Sequence, residues 1–471
     1  MFAEQRIKEF ETFVEKFMSE QKSPGCSIAI AQGDEIVYSR AFGYRNLSRK
    51  LPATTDTLYG IASISKSFTA VAIAQLVERG KLSFDDPITK YLPEFKLPGN
   101  ICADKVTIHH MLTHSTGIPP LPALGISIKD NTAQEMQEGG NSATAEKAPA
   151  EKDEMLSRPP INTYSELIDY IGKYQCRLFG NPGEYLSYSN ECYGILGAII
   201  MKISGLTYSE YIRRNIFAPL GMNRAVLSFE EVREYDDATE LYYKNDGDDQ
   251  VRCSTRWQAA PPYLAGGWIK CCSTDLIRLF QAYAGEGEYK GTRLLSKKMV
   301  EANLSQQIHY SQLYSYAHGL KVQRNYHGVT LIEHGGSLKG VSSNAGFIPE
   351  KGISVVVLCN LSGVPISKVW MAGINLALGL PIETPRTVFA LRTWTPELMV
   401  KYTGKFASGE GAEFSLIVED GELVVKFKND SCIIKSVDEA TGHYILAGQE
   451  NEIRFYMDEL SKVWGVGIGV R

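Results

Sequence analysis

The chain has 471 residues, 44% hydrophobic and 22% charged, enough for one large two-part domain and a smaller one, with a catalytic core that needs neither metal nor disulfides. Its 49 basic and 54 acidic residues leave a net charge of −5, and no Lys/Arg run forms the stripe that holds a phosphate backbone, so nucleic acid is not an expected partner. No segment approaches the ~18 to 20 apolar residues of a membrane span, and Met1 to Lys22 is charged where an export signal needs a continuous apolar run; a cytoplasmic protein with no membrane partner is expected.

In chain order, Ile7, Phe10, Phe13, Val14 and Phe17 have helical spacing and predict a first helix over 5–21. After Pro24-Gly25 the pattern changes to an apolar run from Cys26, then Gly33-Asp34, then Ile36-Val37-Tyr38, which reads as a β-hairpin. An apolar helical stripe (Phe68, Val71, Ala72, Leu76) begins just after Ser63 and stops at Gly80, which puts Ser63 at a helix N-terminus. The polar stretch 129–157, within an insertion spanning about 125–160, has too few large apolar groups to anchor itself and reads as mobile, with a lid as its functional alternative.

Helical patterns return at 193–203, 208–217 and 273–284, the last opened by Ser273-Thr274-Asp275. The β-branched run 353–359 predicts a buried strand. Beyond Pro385, short strand-like runs begin at Tyr402, Phe414, Leu423, Ile433, Tyr444 and Ile453, with Asp420-Gly421 as a hairpin signal. The expected organisation is a hydrolase-type domain over 1–387 and a small antiparallel β-domain over 388–471.

Ser63-Ile64-Ser65-Lys66 carries the first chemical signal. Three residues on, a helical lysine lies on the serine's face about one turn away, so its amine can reach the hydroxyl. A serine is a poor nucleophile until a base removes its proton, and lysine serves only if burial and nearby positive charge favour its neutral form; the helix N-terminus supplies such a field. The pattern is weak alone, since Ser19-Glu20-Gln21-Lys22 also satisfies it. Tyr-x-Asn occurs at 44, 188 and 243, and His-Gly at 318, 327 and 334. Flanks separate them: Pro182-Gly183-Glu184 leads into Tyr188-Ser189-Asn190 and an apolar helix, and His334-Gly335-Gly336-Ser337 precedes the strands near 345–359.

In this order the three motifs resemble those of the serine β-lactamase and penicillin-binding superfamily, in particular its class C-like branch of esterases, D-stereospecific aminopeptidases and CubicO-group peptidases. The resemblance covers about residues 20–380. It extends to Pro24-Gly25, Thr113-His114-Ser115-Thr116-Gly117, Pro219-Leu220-Gly221-Met222 and Ala265-Gly266-Gly267. It implies an α/β fold: a β-lactamase-like antiparallel sheet flanked by helices, with an inserted helical region holding Tyr188, followed by a lipocalin-like, β-barrel-like module.

The same resemblance implies that Ser63 forms an acyl-enzyme, that Lys66 and Tyr188 share the proton transfers, and that Asn190 orients Lys66 and the substrate. The oxyanion hole would come from the backbone N–H groups of Ser63 and Ser337, donors of a kind that supply ~3 to 4 kcal/mol each. The departure is His334-Gly335-Gly336 in place of the family's Lys-Thr-Gly, whose cation and hydroxyl hold the free carboxylate of penicillins and C-terminal D-alanine substrates. A mostly neutral histidine and a bare glycine edge argue for small peptides, amides or esters as partners.

A serine peptidase or amidase is therefore the expected activity, with possible D-amino-acid substrates, and a carboxylesterase is the alternative. β-Lactamase or D-Ala carboxypeptidase action and an inactive scaffold stand behind these. If His334 works in neutral form, activity should fall as pH drops through its titration. No cofactor is expected, and a homo-oligomer is, because the layout resembles that of archaeal CubicO-group peptidases that form closed assemblies. His110 and His114 are four apart, as helical metal ligands can be, but lack a His-Glu-x-x-His pattern. Trp257, Tyr263 and Trp268 read as core residues or as a pocket lining. Nine scattered cysteines fit reduced thiols, with vicinal Cys271-Cys272 as a redox alternative.

Overall fold

The computed structural model describes residues 2–128, 160–245, 248–254, 257–386, 389–428, 430–446, 449–458 and 462–469. Two apolar strands centre it: β1 (Gly25–Gln32) and β9 (Ile353–Cys359) pair antiparallel from Cys26↔Cys359 to Gln32↔Ile353. Both are buried on both faces, because side chains alternate between two helical layers. Ile28, Ile30, Val355 and Val357 pack with Phe10 and Val14 of helix α1 (Glu4–Gln21) and with Trp370 of helix α5 (Ser367–Leu378). Ala29, Ala31, Val356 and Leu358 face the other way, onto Ile277 and Phe280 of helix α4 (Ser273–Ala284).

Outward from this pair the sheet has nine antiparallel strands. On one side lie β2 (Glu35–Asn46) and β3 (Leu51–Pro52). On the other lie β8 (Val341–Ile348), β7 (Val329–Leu338), β6 (Lys321–Tyr326), β5 (Tyr314–Tyr316) and β4 (Ile308–His309). Helix α2 (Ser65–Glu78) is buried from Ser65 through Leu76, as expected of a helix apolar all round, and packs with α3 (Asn190–Ser204). The inserted helical region is thus present and carries Tyr188 at the entry to α3. Most of the polar insertion expected at about 125–160 lies outside the described residues; Ala123–Ser127 is a short helix at its start.

The C-terminal part is a seven-stranded antiparallel meander: β10 (Gly404–Ala407), β11 (Glu413–Glu419), β12 (Glu422–Lys426), β13 (Ser431–Ser436), β14 (Thr441–Leu446), β15 (Gln449–Met457) and β16 (Val463–Ile468). It curls into a nearly closed barrel around Trp394, Leu423, Val425, Ile434 and Ile453, and Tyr402 of helix α6 (Pro396–Tyr402) stacks on Phe455 at 3.9 Å. Its outer face meets the large sheet's side of the molecule through Tyr456 and Trp464, both ringed against Phe179 and Tyr185 at 4.9–6.0 Å.

Candidate active site

Ser63 lies on a tight turn between strand and helix. Tyr59–Gly60 pairs with Lys270–Cys271, the Ile61 N–H continues to Ile269 O at 3.1 Å, and the chain then reverses through Ala62 into a single 3₁₀ turn, Ala62–Ile64. Ala62 takes φ +47°, a left-handed conformation that an alanine adopts at a cost of about 1–2 kcal/mol. Its surroundings hold it there. Ile61 O accepts from Ser343 Oγ at 2.9 Å, and Ser65 Oγ accepts from the Ile269 N–H at 3.1 Å.

One turn on, Lys66 has no exposed surface, and its ammonium reaches Gly266 O at 2.7 Å, Asn190 Oδ1 at 2.9 Å and Ser63 Oγ at 3.1 Å. Three acceptors match the three N–H bonds of a lysine. The rings of Tyr188 and Tyr193 lie 4.8 and 5.4 Å from Nζ. Asn190 is the first residue of α3, whose N-cap Ser189 accepts the Cys192 N–H and donates to Glu191 Oε2 at 2.7 Å. Buried Glu191 also takes the Tyr263 hydroxyl at 3.1 Å.

His114 braces the tyrosine motif. Its Nδ1 accepts the Ser189 N–H at 3.1 Å, its carbonyl accepts the Ser187 N–H at 2.8 Å, and its ring lies 4.1 Å from that of Tyr188. His110 Nδ1 accepts the Thr107 N–H at 3.2 Å. Both rings serve the backbone, and among the described residues no group of three or more His, Cys, Asp or Glu is placed to hold a metal ion. Cys271 and Cys272 are free and buried, with thiols pushed up chiefly by burial. Tyr263 and Trp268 are core residues, the Trp268 indole donating to Gln258 O at 3.0 Å; only Trp257 is partly exposed, in an apolar group with Ala62, Leu338 and Val341.

The third motif lies on β7. Strand β6 covers this strand only as far as Glu333, opposite Lys321, whereas β8 pairs with it through His334↔Ala345, Gly335↔Asn344, Gly336↔Ser343 and Ser337↔Ser342. A Cβ on Gly336 would stand 2.3 Å from both Ile61 O and Ser343 Oγ. Glycine here lets the strand press against the Ser63 turn. Gly335 has open space, its nearest neighbour being Ser343 O at 3.7 Å, and Ser337 is exposed. The eight residues singled out from the sequence (Ser63, Lys66, Tyr188, Asn190, His334, Gly335, Gly336 and Ser337) therefore converge.

His334 is held as a neutral ring. Nδ1 lies 2.6 Å from Gly335 O, which can only accept, so the hydrogen sits on Nδ1 and Nε2 accepts the Tyr316 hydroxyl at 2.8 Å. Burial, then the Lys66 charge, push its pKa down to about 3. This corrects the expectation that activity follows a histidine titration near neutrality: a ring enclosed beside a cation does not take up a proton there. Tyr316, which has no exposed surface, was not singled out in the sequence, where nothing distinguishes it from the chain's other tyrosines.

Among known proteins, the chain is 26% identical over 370 residues to Protein flp of Staphylococcus aureus (strain NCTC 8325 / PS 47), an alignment covering 77% of this chain and 64% of that protein. It is 27% identical over 352 residues to Penicillin-binding protein 4* of Bacillus subtilis (strain 168), covering 71% and 68%. The chain thus spans somewhat less than two thirds of the length of the flp relatives. The structure of the octameric penicillin-binding protein homologue from Pyrococcus abyssi superposes with a TM-score of 0.68 at 30% identity over 96% of each chain. The D-amino acid amidase from Ochrobactrum anthropi SV3, complexed with L-phenylalanine amide, shares the fold with a TM-score of 0.60 at 24% identity, over 79% of this chain and 96% of that one. The Beta-lactamase family matches residues 10–371, a span that runs from within α1 to within α5 and encloses every residue of the site, and the chain belongs to that family.

Proposed function

We propose that this chain is a serine hydrolase that forms an acyl-enzyme at Ser63 and acts as a peptidase or amidase on small peptides or amides, D-amino-acid-containing ones among them. The observation that carries this reading is the Lys66 amine, fully enclosed and 3.1 Å from the Ser63 hydroxyl. Ser63 Oγ attacks the carbonyl while its proton passes to the deprotonated member of the Lys66–Tyr188 pair, the neutral amine or the phenolate; the C–O bond to Ser63 forms, the C–N bond breaks, and the leaving amine receives the proton. Water then reverses the sequence on the ester. Asn190 keeps Lys66 aimed at Ser63, and the N–H groups of Ser63 and Ser337 stabilise the oxyanion, each worth about 10²–10³ in rate.

Neutral His334 and the bare Gly335 edge offer no cation for a carboxylate next to the scissile bond, which disfavours penicillins and D-Ala carboxypeptidase substrates. The amidase fold relative supports amide substrates. The open edge at Gly335 favours a second reading, a carboxylesterase. Similarity to an octameric homologue supports a closed homo-oligomer, checked by native mass. A fluorophosphonate should add one covalent label, lost in Ser63→Ala and slowed at least about a hundredfold in Lys66→Ala. Turnover of D- and L-aminoacyl amides beside p-nitrophenyl esters separates the two readings. Labelling that persists in Ser63→Ala would remove both.

A further inference from the structure

The barrel carries a buried cation that is only partly hydrogen-bonded. Arg454, on β15, alternates with core residue Phe455 and so points out of the barrel towards the hydrolase sheet. It is 7% exposed; its Nε donates to Tyr456 Oη at 3.1 Å, and both terminal nitrogens, Nη1 and Nη2, are buried without a hydrogen-bond partner among the described residues. Unpaired ionic donors of this kind are costly unless a ligand or water meets them. The guanidinium lies over the face of Tyr310 at 5.2 Å, with Tyr456 at 6.0 Å, and its charge acts on the nearby Glu452 carboxyl.

The location is specific. Tyr310 packs in one buried group with Leu186, Tyr188 and Tyr316. Tyr456, which holds Arg454, rests on Phe179 and Tyr185, in the segment that leads into Tyr188. Arg454 therefore lies one aromatic layer from Tyr188, which is beside Lys66, and from the buried Tyr316, which is bonded to His334. Lys321 and Arg386 converge on Glu333, while the nearby Glu452 carboxyl is pushed up chiefly by burial, against the pull of a Ser311 hydrogen bond and of the Arg454 and Lys321 charges.

We infer that Arg454 is the anchor of a carboxylate subsite on the leaving-group side of the cleft, which takes the C-terminal carboxylate of a short peptide extending beyond the scissile bond. The inference rests on the proposed hydrolase activity, in which Tyr188 helps protonate the leaving group and so marks that side. A guanidinium fork suits a carboxylate in two-point contact. An extended peptide advances ~3.3 Å per residue, so an anchor one aromatic layer behind Tyr188 selects peptides with two or more residues after the cleaved bond. The cation absent from the third motif is thereby supplied from the barrel, further from Ser63.

The test uses the full-length chain and a tetra- or pentapeptide that it cleaves, as the free acid and as the C-terminal amide. Wild type should prefer the free acid, and the free-acid/amide ratio of kcat/KM should fall at least about tenfold in Arg454→Gln, with Arg454→Lys between them. The loss should appear chiefly in KM. Equal kcat/KM for acid and amide in the wild type, or a ratio unmoved by Arg454→Gln, would overturn the subsite. A variant too unstable to assay does not block the test, because inhibition of wild-type ester hydrolysis by the free-acid peptide against its amide reads the same preference. Failure of Ser63 labelling would instead strike at the hydrolase reading.

Discussion

Tyr316 and Gly335 together decide the chemistry of His334, because one hydrogen bond fixes each ring nitrogen and burial removes the option of a second proton. With a folded pKa of about 3, the ring stays neutral throughout pH 5–8, so kcat/KM should show no step from His334 in that range. A sigmoidal loss near pH 6.5 that vanishes in His334→Asn would contradict this. The same depression has a consequence for folding. The unfolded chain's histidine titrates near ~6.5, so the contribution of neutral His334 to stability is complete above that pH. It declines as pH falls towards 3, by up to about 1.4 kcal/mol per pH unit. Melting temperatures at pH 7 and pH 4 should therefore differ less in His334→Gln than in wild type. Ser63, Lys66 and Tyr188 were legible in the sequence because their spacing encodes a helical turn and a cap. Tyr316 was not, and His114 was marked only as part of the Thr113–Gly117 motif, since the roles of both arise from contacts between segments far apart in the chain.

At the scale of elements, the strand edge and the nucleophile turn form one rigid unit, joined where Gly336 meets Ile61. Gly336→Ala drives a methyl group against Ile61 O, a backbone atom that cannot swing away, and against Ser343 Oγ, which is bonded to that same oxygen. Activity should drop at least about a hundredfold, since displacements of an ångström at a reacting centre cost that much. Gly335→Ala, which meets nothing closer than 3.7 Å, should fold with wild-type stability and lose activity mainly towards bulky substrates. Equal losses in the two variants, measured as kcat/KM beside thermal stability, would contradict the argument. The buried strand 353–359 and the helix 273–284 were readable because burial on both faces and a polar N-terminal run leave plain marks. The barrel's last strand, Val463–Ile468, was missed because Gly465 and Gly467 dilute its β pattern. Tyr402 was read as the start of a strand but ends helix α6, which Thr395 caps and Pro396 opens.

Across the whole molecule, the segment joining sheet and barrel is tied to the site by a buried ion pair. Arg386 reaches Glu333 at 2.6 Å, next to His334 in the chain; Lys321 adds a second cation at 3.5 Å, and the Arg386 guanidinium lies over Trp370 and Tyr314 at 5.8 and 5.3 Å. Burial alone would raise the Glu333 carboxyl, but Arg386 and then Lys321 outweigh it and hold it at about 2. The stabilisation is therefore present above the ordinary carboxylate range, near ~4.3, and is lost as pH falls towards 2. Removing one partner strands a buried charge, so Arg386→Leu should cost about 3–5 kcal/mol, and Glu333→Gln in the same chain should restore much of it by removing the stranded carboxylate. Denaturant unfolding of the two single variants and the double variant measures this as a cycle. Additive losses would mean that the linker is not held by this pair, and that the barrel's place beside Tyr188 depends on other contacts, such as those of Tyr456 and Trp464 with Phe179 and Tyr185 and the Gln312–Asp438 hydrogen bond.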